Sequence, residues 1–348
     1  MTKKTRYFMA GSAAVLAAGL GTGLIGYYTG GFQPVSASAV STELRYVPAD
    51  ATLVAYADVR AIMNSELRAR LKDVLPMPEK GQQEFRDQTG IDIERDIDYV
   101  VAALAPGSQQ TAPLVVARGR FDDGRLEALA REHCGSVEQY KGKRLILAPA
   151  NHHEAGAGGT IKSPTAAPVE PIDQVERAKR SMVLAFLEPG LVAVGDTNAV
   201  KKAIDAQMSA HSITSNNEMM ELVSNIGQGN NAWAVGRFDV LAAQAHLPEQ
   251  ISKQIPAVKW FAAAGHVNGG ISGTLRAEAR DDAAAENLRD VVRGFLALAR
   301  MQSASDPRTA ALVESLQLAG TGKTVALSFT VPAEIIQMIP KRAAGEQR

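Results

Sequence analysis

Hydrophobic residues are distributed unevenly along this chain, and the longest apolar stretch lies close to the N-terminus. Between Arg6 and Glu43 there is no Asp, Glu, Lys or Arg. Residues 7–28 suffice to cross a hydrocarbon core of about 30 Å as a helix that rises about 1.5 Å per residue. The pattern therefore predicts a transmembrane helix over 7–28, preceded by a basic segment (1–6) and followed by a tether containing Gly, Ser and Pro (29–43).

Beyond the tether, shorter apolar segments alternate between the spacings of strands and helices. Residues 53–57 are typical of a buried strand, and 59–75 of an amphipathic helix that ends before Pro76. A second helix is predicted over 124–133. Further strands are predicted over 98–104, 114–121 and 143–148. This order predicts split β-α-β units, in which an antiparallel sheet carries its helices on one face.

The second half of the chain mixes strands and helices in the same way. A hairpin is predicted from 182 to 194 across the turn at 188–190, and a last strand over 325–331. Helices are predicted over 199–208, 216–226 and 283–303. The last of these is the longest helix after the membrane segment, with an apolar face formed by Leu288, Val291, Val292, Phe295, Leu296 and Ala299.

One long segment divides the body of the chain. Residues 150–181 are rich in Gly, Ala and Pro without an apolar period, which predicts a flexible loop. The loop separates a first lobe (44–149) from a second lobe (182–340), and a polar tail (341–348) follows. We therefore expect an α+β fold with an N-terminal transmembrane helix and two lobes of mainly antiparallel sheet.

Three short segments recur in the same order in both halves. "YADVRAI" (56–62) resembles "RFDVLAA" (237–243). "GRFDDGRLEALARE" (119–132) resembles "AEARDDAAAENLRD" (277–290), and "KGKRLILAP" (141–149) resembles "GTGKTVALSFTVP" (320–332). Ordered self-similarity of this kind favours an internal duplication, which predicts that the two lobes are related.

The membrane segment contains Gly21-Thr22-Gly23-Leu24-Ile25-Gly26, which fits the dinucleotide-binding fingerprint. That fingerprint needs a strand before it, an amphipathic helix after it and an acidic residue about twenty positions further on, and none is present. Gly19, Gly23, Gly26 and Gly30 instead fall on one helical face, as in the small-residue seams of paired membrane helices. The seam predicts a homodimer through the transmembrane helix, and simple tolerance of glycine in membrane helices is the alternative.

The charges around the membrane segment indicate its orientation. Lys3, Lys4 and Arg6 precede it, so the positive-inside rule predicts a cytoplasmic N-terminus, a single pass through the inner membrane and an extracytoplasmic body. Ala37-Ser38-Ala39 has the form of a signal-peptidase site, so cleavage after Ala39 and release into the periplasm is the alternative. An uncleaved anchor is favoured because the apolar run is longer than a signal h-region and ends well before Ala39.

Composition excludes several classes of function. Lys and Arg together number 37, as do Asp and Glu, so without the three N-terminal bases the exported part has 34 basic against 37 acidic residues. Such a chain has no basic field for nucleic acid. Cys134 is the only cysteine, so an intramolecular disulfide is excluded and the fold depends on its apolar core.

The motifs that resemble catalytic or metal sites lack their required context. "GTGKT" (320–324) precedes a strand and has Gln317 where a phosphate loop needs Gly. The adjacent His152, His153 and Glu154 lack the spaced ligands of a zinc site, and Asp92, Glu94, Asp96 and Asp98 lack the calcium-loop pattern. We therefore predict no catalytic, cofactor or metal residue, although a triad assembled from distant residues stays open.

Aromatic residues flank the start of the predicted second lobe. Trp233 and Trp260, with Phe238 and Phe261, occupy strand-like positions where aromatic side chains usually pack into the core. If Trp233 and Trp260 instead open onto solvent, they are the candidate lining of a ligand or peptide groove.

The segments "RYVPADATLVAYADV", "TGIDIERDIDYVVAAL", "FLEPGLVAVGDTNAVKKAID" and "WAVGRFDV" resemble uncharacterised bacterial envelope proteins with an N-terminal anchor and a duplicated α+β ectodomain. The resemblance covers most of 44–340 and implies a location and an architecture. It implies no activity, and no functional residue is carried over from it.

These observations lead to one expectation of function and two alternatives. We expect a membrane-anchored extracytoplasmic protein that binds or scaffolds an envelope protein or ligand, without nucleic acid or cofactor. The residues favour a non-catalytic protein. The alternatives are an envelope hydrolase with a site assembled between the lobes, and a carrier of an apolar ligand in a cavity lined by Trp233 or Trp260.

Overall fold

Antiparallel strands dominate the computed structural model, which describes residues 42–72, 86–87, 90–105, 112–132, 135–147, 182–226, 229–240, 258–303 and 307–333. Within those ranges twelve strands form one sheet. The strands are β1 (Leu53–Ala57), β2 (Ile97–Ala105), β3 (Ala112–Gly119), β4 (Ser136–Tyr140), β5 (Lys143–Leu147), β6 (Met182–Glu188), β7 (Leu191–Asp196), β8 (Ala232–Arg237), β9 (Val258–Val267), β10 (Gly270–Ala279), β11 (Gln317–Ala319) and β12 (Thr324–Pro332). Their order across the sheet is β11-β12-β10-β9-β8-β1-β2-β3-β7-β6-β5-β4.

The helices of the described ranges connect these strands and cover the sheet. They are α1 (Val59–Met63), α2 (Glu66–Lys72), α3 (Ile93–Asp96), α4 (Asp123–Glu132), α5 (Thr197–Ser209), α6 (Asn217–Ser224), α7 (Asp282–Ser303) and α8 (Pro307–Glu314), with 3-10 helices at Leu44–Tyr46 and Ile213–Ser215. Helices and a large antiparallel sheet together make the fold α+β, as predicted.

The strands of the two predicted lobes belong to the same sheet. β1 pairs with β8 along its whole length, with Val54 opposite Val235 and Tyr56 opposite Trp233. The β6–β7 hairpin, which lies in the predicted second lobe, pairs with β3 and β5 of the first. Both edges of β1 and β3 are therefore hydrogen-bonded, and the chain boundary at 150–181 is not a boundary of the sheet.

The predicted split β-α-β arrangement is wrong. β1, β2 and β3 form a meander in which each strand pairs antiparallel with the next. After α4 the chain enters β4 at the far edge of the sheet, and β4 was missed because "SVEQY" carries little apolar alternation. Strand order depends on which apolar edges meet, and local periodicity does not encode that.

Helices cover both faces of the sheet, in contrast to the predicted single face. We call the side that carries Val54 and Tyr56 the front face, and the side that carries Leu53 and Ala57 the back face. α5 and α6 pack on the front face. Packed on the back face are α1, α2, α4 and α7. The central strands β1 and β8 are buried on both sides, so each face needs its own cover.

One predicted helix is interrupted. The pattern over 59–75 predicts a single helix, but α1 ends at Met63 and α2 starts at Glu66. The Ser65 hydroxyl accepts a hydrogen bond from the Arg68 backbone N–H at 3.2 Å. Serine is a preferred N-cap, and here that preference competes with continuation of the helix.

Several local predictions are confirmed. β1, the β6–β7 hairpin, α5 and α7 lie within two residues of their predicted bounds. Asp196 caps α5 by accepting a hydrogen bond from the Ala199 N–H at 2.7 Å. "GTGKT" forms the turn before β12, with φ of +105° at Gly320 and +56° at Gly322.

The segments that resemble one another in sequence lie at matching places in the order of elements. Each half has a three-stranded meander, then a helix on the back face (α4 or α7), then a hairpin (β4–β5 or β11–β12). The described parts of the two halves also differ in strand pairing. β10 pairs directly with β12, whereas the β6–β7 hairpin separates β3 from β5.

None of the helices in the described ranges is both long enough and apolar enough to cross a bilayer. The predicted transmembrane segment (7–28), with Gly19, Gly23, Gly26 and Gly30, lies outside those ranges. So do residues 29–41 of the tether, the loop (150–181), the tail (341–348) and the side chains of His152, His153, Glu154 and Cys134.

Two glycines provide a matched test of the packing. A Cβ at Gly236 of β8 would lie 2.9 Å from both the Phe261 ring and the Thr52 carbonyl oxygen, whereas one at Gly294 of α7 meets nothing within 4 Å. We expect Gly236→Ala to lower the free energy of unfolding by about 1–3 kcal/mol. Gly294→Ala should raise it by up to about 1 kcal/mol, because alanine is the better helix former. Urea unfolding of the full chain in detergent measures both, and equal effects would contradict the tight approach at β8.

Candidate functional site

A buried polar cluster lies where the N-terminal segment joins the sheet. We call it the Glu43 cluster: Glu43, Tyr46, Tyr99, Arg118 and Glu188. Arg118 Nε donates to Glu43 Oε1 at 2.7 Å, and the Tyr99 hydroxyl donates to the same oxygen at 3.0 Å. The Tyr46 hydroxyl donates to Glu188 Oε1 at 2.8 Å, and Arg118 Nη2 lies 3.8 Å from Glu188 Oε2. The cluster thus links two carboxylates through one guanidinium.

The fold brings these residues together through strand register. Tyr99 of β2 stands opposite Arg118 of β3, so their side chains are neighbours on the front face. The 3-10 helix Leu44–Tyr46 lies over this face and holds Glu43 at 1% exposure. Glu188 comes from the end of β6, beside the turn whose Gly190 carbonyl accepts a hydrogen bond from the Gly119 N–H at 2.9 Å.

Burial keeps the tyrosines of this region uncharged. Burial raises the pKa of Tyr99 to about 12, and the charge and hydrogen bond of Glu43 add to the effect. The pKa values of Tyr46 and Tyr56 are raised further, first by burial and then by nearby carboxylates. These phenols therefore serve as hydrogen-bond donors and packing groups, because a neutral phenol is a poor nucleophile.

The cluster carries an energetic cost inside the core. Within the described ranges, Glu43 Oε2 and the Tyr56 hydroxyl oxygen are buried and make no hydrogen bond. A buried carboxylate is stable only when a cation and donors compensate its desolvation. Arg118, whose side chain is 26% exposed, supplies that charge at Oε1. The arrangement ties the Leu44–Tyr46 helix to β2, β3 and β6.

Sequence reasoning missed Glu43, Arg118 and Glu188. A signal was available, because Arg118 is a charged residue at an inward position of the alternating β3 segment. Glu43 is also the first charged residue after the long uncharged stretch. Neither residue forms a recognisable motif with its sequence neighbours, since Glu43 and Arg118 lie 75 positions apart.

The two tryptophans proposed for a ligand groove lie in the main core. Trp233 stacks on Tyr56 with ring centroids 5.7 Å apart. Trp260 packs in the same core, with the Arg237 guanidinium 5.5 Å from its ring centroid. Both indoles are buried, so they do not open onto solvent as a groove requires.

The acidic run Asp92–Asp98 is used by local structure. Asp92 caps α3 by accepting a hydrogen bond from the Glu94 N–H at 3.0 Å, and Asp96 accepts one from the Asp92 N–H at 2.8 Å. Asp98 forms an ion pair with Arg60 of α1. In the described ranges no three His, Cys, Asp or Glu side chains gather as metal ligands would.

An exposed apolar surface lies on α7. We call it the α7 stripe: Val291, Phe295, Leu298 and Met301, which are 42%, 66%, 56% and 75% exposed. Their spacing of four, three and three residues puts them along one side of the helix. Of the eight large hydrophobic side chains exposed in the described ranges, these four lie on α7, and Leu275 of β10 and Leu312 of α8 are two of the others.

The stripe is exposed because the apolar arc of α7 is wider than its contact with the sheet. Ala284, Ala285 and Leu288 pack against Ala279, Val325 and Leu318 at the start of the helix. Arg289 donates to the Thr324 carbonyl at 3.1 Å, which holds that end on the sheet. Beyond this point only Leu296 and Ser303 of α7 are buried. Concentrated apolar exposure on a soluble surface is typical of a docking site.

The first prediction for the Glu43 cluster concerns Arg118. We expect Arg118→Met to lower the free energy of unfolding by about 3 kcal/mol, because it leaves the Glu43 carboxylate buried without its cation. Lys202→Met, which removes an exposed ion pair with Asp50 at 3.5 Å, is the matched control and should cost at most about 1 kcal/mol. Urea unfolding measures both, and equal costs would show that the pair to Glu43 behaves as a surface pair.

The second prediction concerns alkaline pH. The pKa of Tyr99 is raised to about 12 in the folded state. The neutral phenol therefore makes its full contribution to the free energy of unfolding below about pH 10, the pKa of tyrosine in the unfolded chain. That contribution is lost as pH rises through 12. Stability should therefore fall over this interval, and less steeply in Tyr99→Phe. Urea midpoints measured between pH 9 and 12 test this, and identical slopes would refute it.

Comparisons with known proteins assign no family. No protein-family model and no curated protein matches the chain. Among solved structures, crystal form I of TP0453 is similar with a TM-score of 0.44 and 8% identity, over 85% of this chain and 94% of that one. Crystal form III of TP0453 gives 0.45 and 9%, over 88% and 96%. Similarity at this level establishes neither a shared fold nor a shared function.

Proposed function

We propose that this chain is a single-pass inner-membrane protein whose extracytoplasmic body binds or scaffolds another component of the cell envelope. The observation that carries the proposal is the α7 stripe, four apolar side chains exposed on one side of a helix. The uncharged segment over 7–28 supports the anchored part of the proposal, because lipid is the solvent that such a run requires.

A comparison of the two halves supports a binding role for α7. We infer that the halves are related by duplication and that an approximate two-fold axis passes between β1 and β8, near Ala55 and Ala234. The axis pairs α4 with α7 on the back face. α4 buries Leu126 against Ile146 and Phe186 and exposes no large hydrophobic residue, whereas α7 exposes four. The exposure belongs to one helix of the pair, which the fold alone does not require.

The polar side chains of the described ranges favour binding over catalysis. Glu43 is buried, and the raised pKa of Tyr99 keeps its phenol neutral. A hydrolase site assembled between lobes needs a cleft between them, and the β1–β8 pairing fills that junction with continuous sheet. A carrier site lined by Trp233 or Trp260 needs these indoles to face a cavity, and both are packed among core side chains.

The glycine seam at Gly19, Gly23, Gly26 and Gly30 supports a second part of the proposal, a homodimer through the transmembrane helix. Two bodies held by one paired anchor present two α7 stripes. Multivalent presentation of weak sites strengthens binding without new contacts, which suits a scaffold.

Topology and contact are tested together in intact cells. A reporter active only in the periplasm should be active when fused after Glu43, and a reporter active only in the cytoplasm should not. A photo-crosslinking residue at Leu298 of α7 should form adducts. The same residue at Met208 of α5, which is 57% exposed on the opposite face, is the matched control and should form few.

Two outcomes would overturn the proposal. Activity of the cytoplasmic reporter would show that the body is not exported. Equal adduct yields at Leu298 and Met208 would show that the α7 stripe is not a preferred contact surface.

A further inference from the structure

The α7 stripe is an exposed apolar surface, and the anchor proposed above would bring a bilayer near the body. We infer that the α7 stripe docks on the outer surface of the bilayer that anchors the chain, with its apolar side chains at the headgroup boundary. The inference rests on the membrane anchoring proposed above and adds a second point of contact between body and membrane.

The chemistry of α7 fits an interfacial helix. The apolar side of the helix is the α7 stripe. Its polar side carries Arg293, whose Nη1 lies 2.9 Å from Glu286 Oε1 and 2.7 Å from Asp290 Oδ1. Helices that lie in a membrane interface carry apolar residues on one side and charged residues on the other, and they bury the apolar side about 5–10 Å into the boundary. The sheet contacts α7 at Ala284, Ala285 and Leu288, and Leu296 and Ser303 are also buried. The side chains of the stripe lie on another side of the helix and stay exposed.

The length of the tether keeps the body close to the bilayer. Residues 29–41 lie between the predicted membrane segment and the first described residue, Thr42. At about 3.5 Å per residue this segment can span about 45 Å at most. A tethered surface acts at a high effective concentration, so a small apolar contact is enough.

The size of the stripe argues against a protein, including a second copy of the chain, as its sole occupant, so we assign the bilayer lipid as the envelope component that it contacts. A stable interface between proteins buries about 800 Å² on each partner. Four partly exposed side chains provide only a few hundred Å². Insertion into a bilayer has no such minimum, because each apolar side chain gains independently by leaving water.

The charge of the body predicts how the docking behaves. With 34 basic and 37 acidic residues outside the N-terminal segment, the body has no net attraction to anionic lipid. Docking should therefore occur on vesicles of neutral phosphatidylcholine and should persist at high salt, where electrostatic contacts weaken.

The test uses the full chain in phosphatidylcholine vesicles and a tryptophan placed in the stripe. The fluorescence of the new tryptophan in Phe295→Trp is obtained by subtracting the tryptophan fluorescence of the unsubstituted chain. Lipid brominated on its acyl chains should quench about half of this fluorescence, since the side chain reaches the acyl boundary. Trp233 and Trp260 are buried in the core and form the parent background. Met208→Trp, on the opposite face, is the matched control and should not be quenched.

A second substitution links quenching to the apolar side chains. Leu298→Asp in the Phe295→Trp chain should abolish the quenching, because a charged group opposes insertion. Equal quenching with and without Leu298→Asp, or none in Phe295→Trp, would overturn the inference. So would an emission shift that depends on protein density in the vesicles and not on bromine, which indicates a second copy.

The membrane anchor is scored separately in the same samples. Retention of the chain after an alkaline wash reports the anchor, and bromine quenching reports the stripe. Retention without quenching would support the membrane anchor and refute the docking of the stripe. Loss of the chain in the alkaline wash would refute the anchor, whatever the quenching shows.

Discussion

The pairing of β1 with β8 is the interaction on which the rest of the structure depends. β1 is short, yet it joins the meander β1–β2–β3 to the meander β8–β9–β10 and makes one sheet of both. Tyr56 and Trp233, which face each other across this pair, stack at the centre of the main core. With the pair in place, helices on both faces acquire a surface to pack against, including α7 at the distal strands.

The Glu43 cluster depends on the same centre. The rings of Tyr99 and Tyr56 have their centroids 5.9 Å apart, and Tyr99 also binds Glu43. The polar contacts of the N-terminal segment are therefore positioned by aromatic side chains of the β1–β8 core. An enclosed ion pair rarely adds stability compared with apolar packing, but it penalises every arrangement that separates its partners. The cluster therefore specifies where the chain enters the body more than it strengthens the body.

Local features of the fold were accessible from the sequence, and the long-range ones were not. β1, the β6–β7 hairpin and the Asp196 cap follow from periodicity and from side chains that bond to nearby backbone. The order of strands, the helices on both faces and the break before Ser65 depend on partners far along the chain or on one competing hydrogen bond. The apolar face of α7 was visible as a pattern, but a pattern cannot tell a face that is covered from one that is open. The register of β2 and β3 places Tyr99 beside Arg118, and both side chains bind Glu43 of the N-terminal segment.

The central place of β1 has a consequence for biogenesis. Its partner β8 begins only at Ala232, so β1 has one unpaired edge until that distant strand has been made. At the usual rate of about 5–20 residues per second, the delay is on the order of ten seconds or more. During this time an apolar strand edge and the unfinished core are open to wrong partners, which is the hazard of late, non-local pairing.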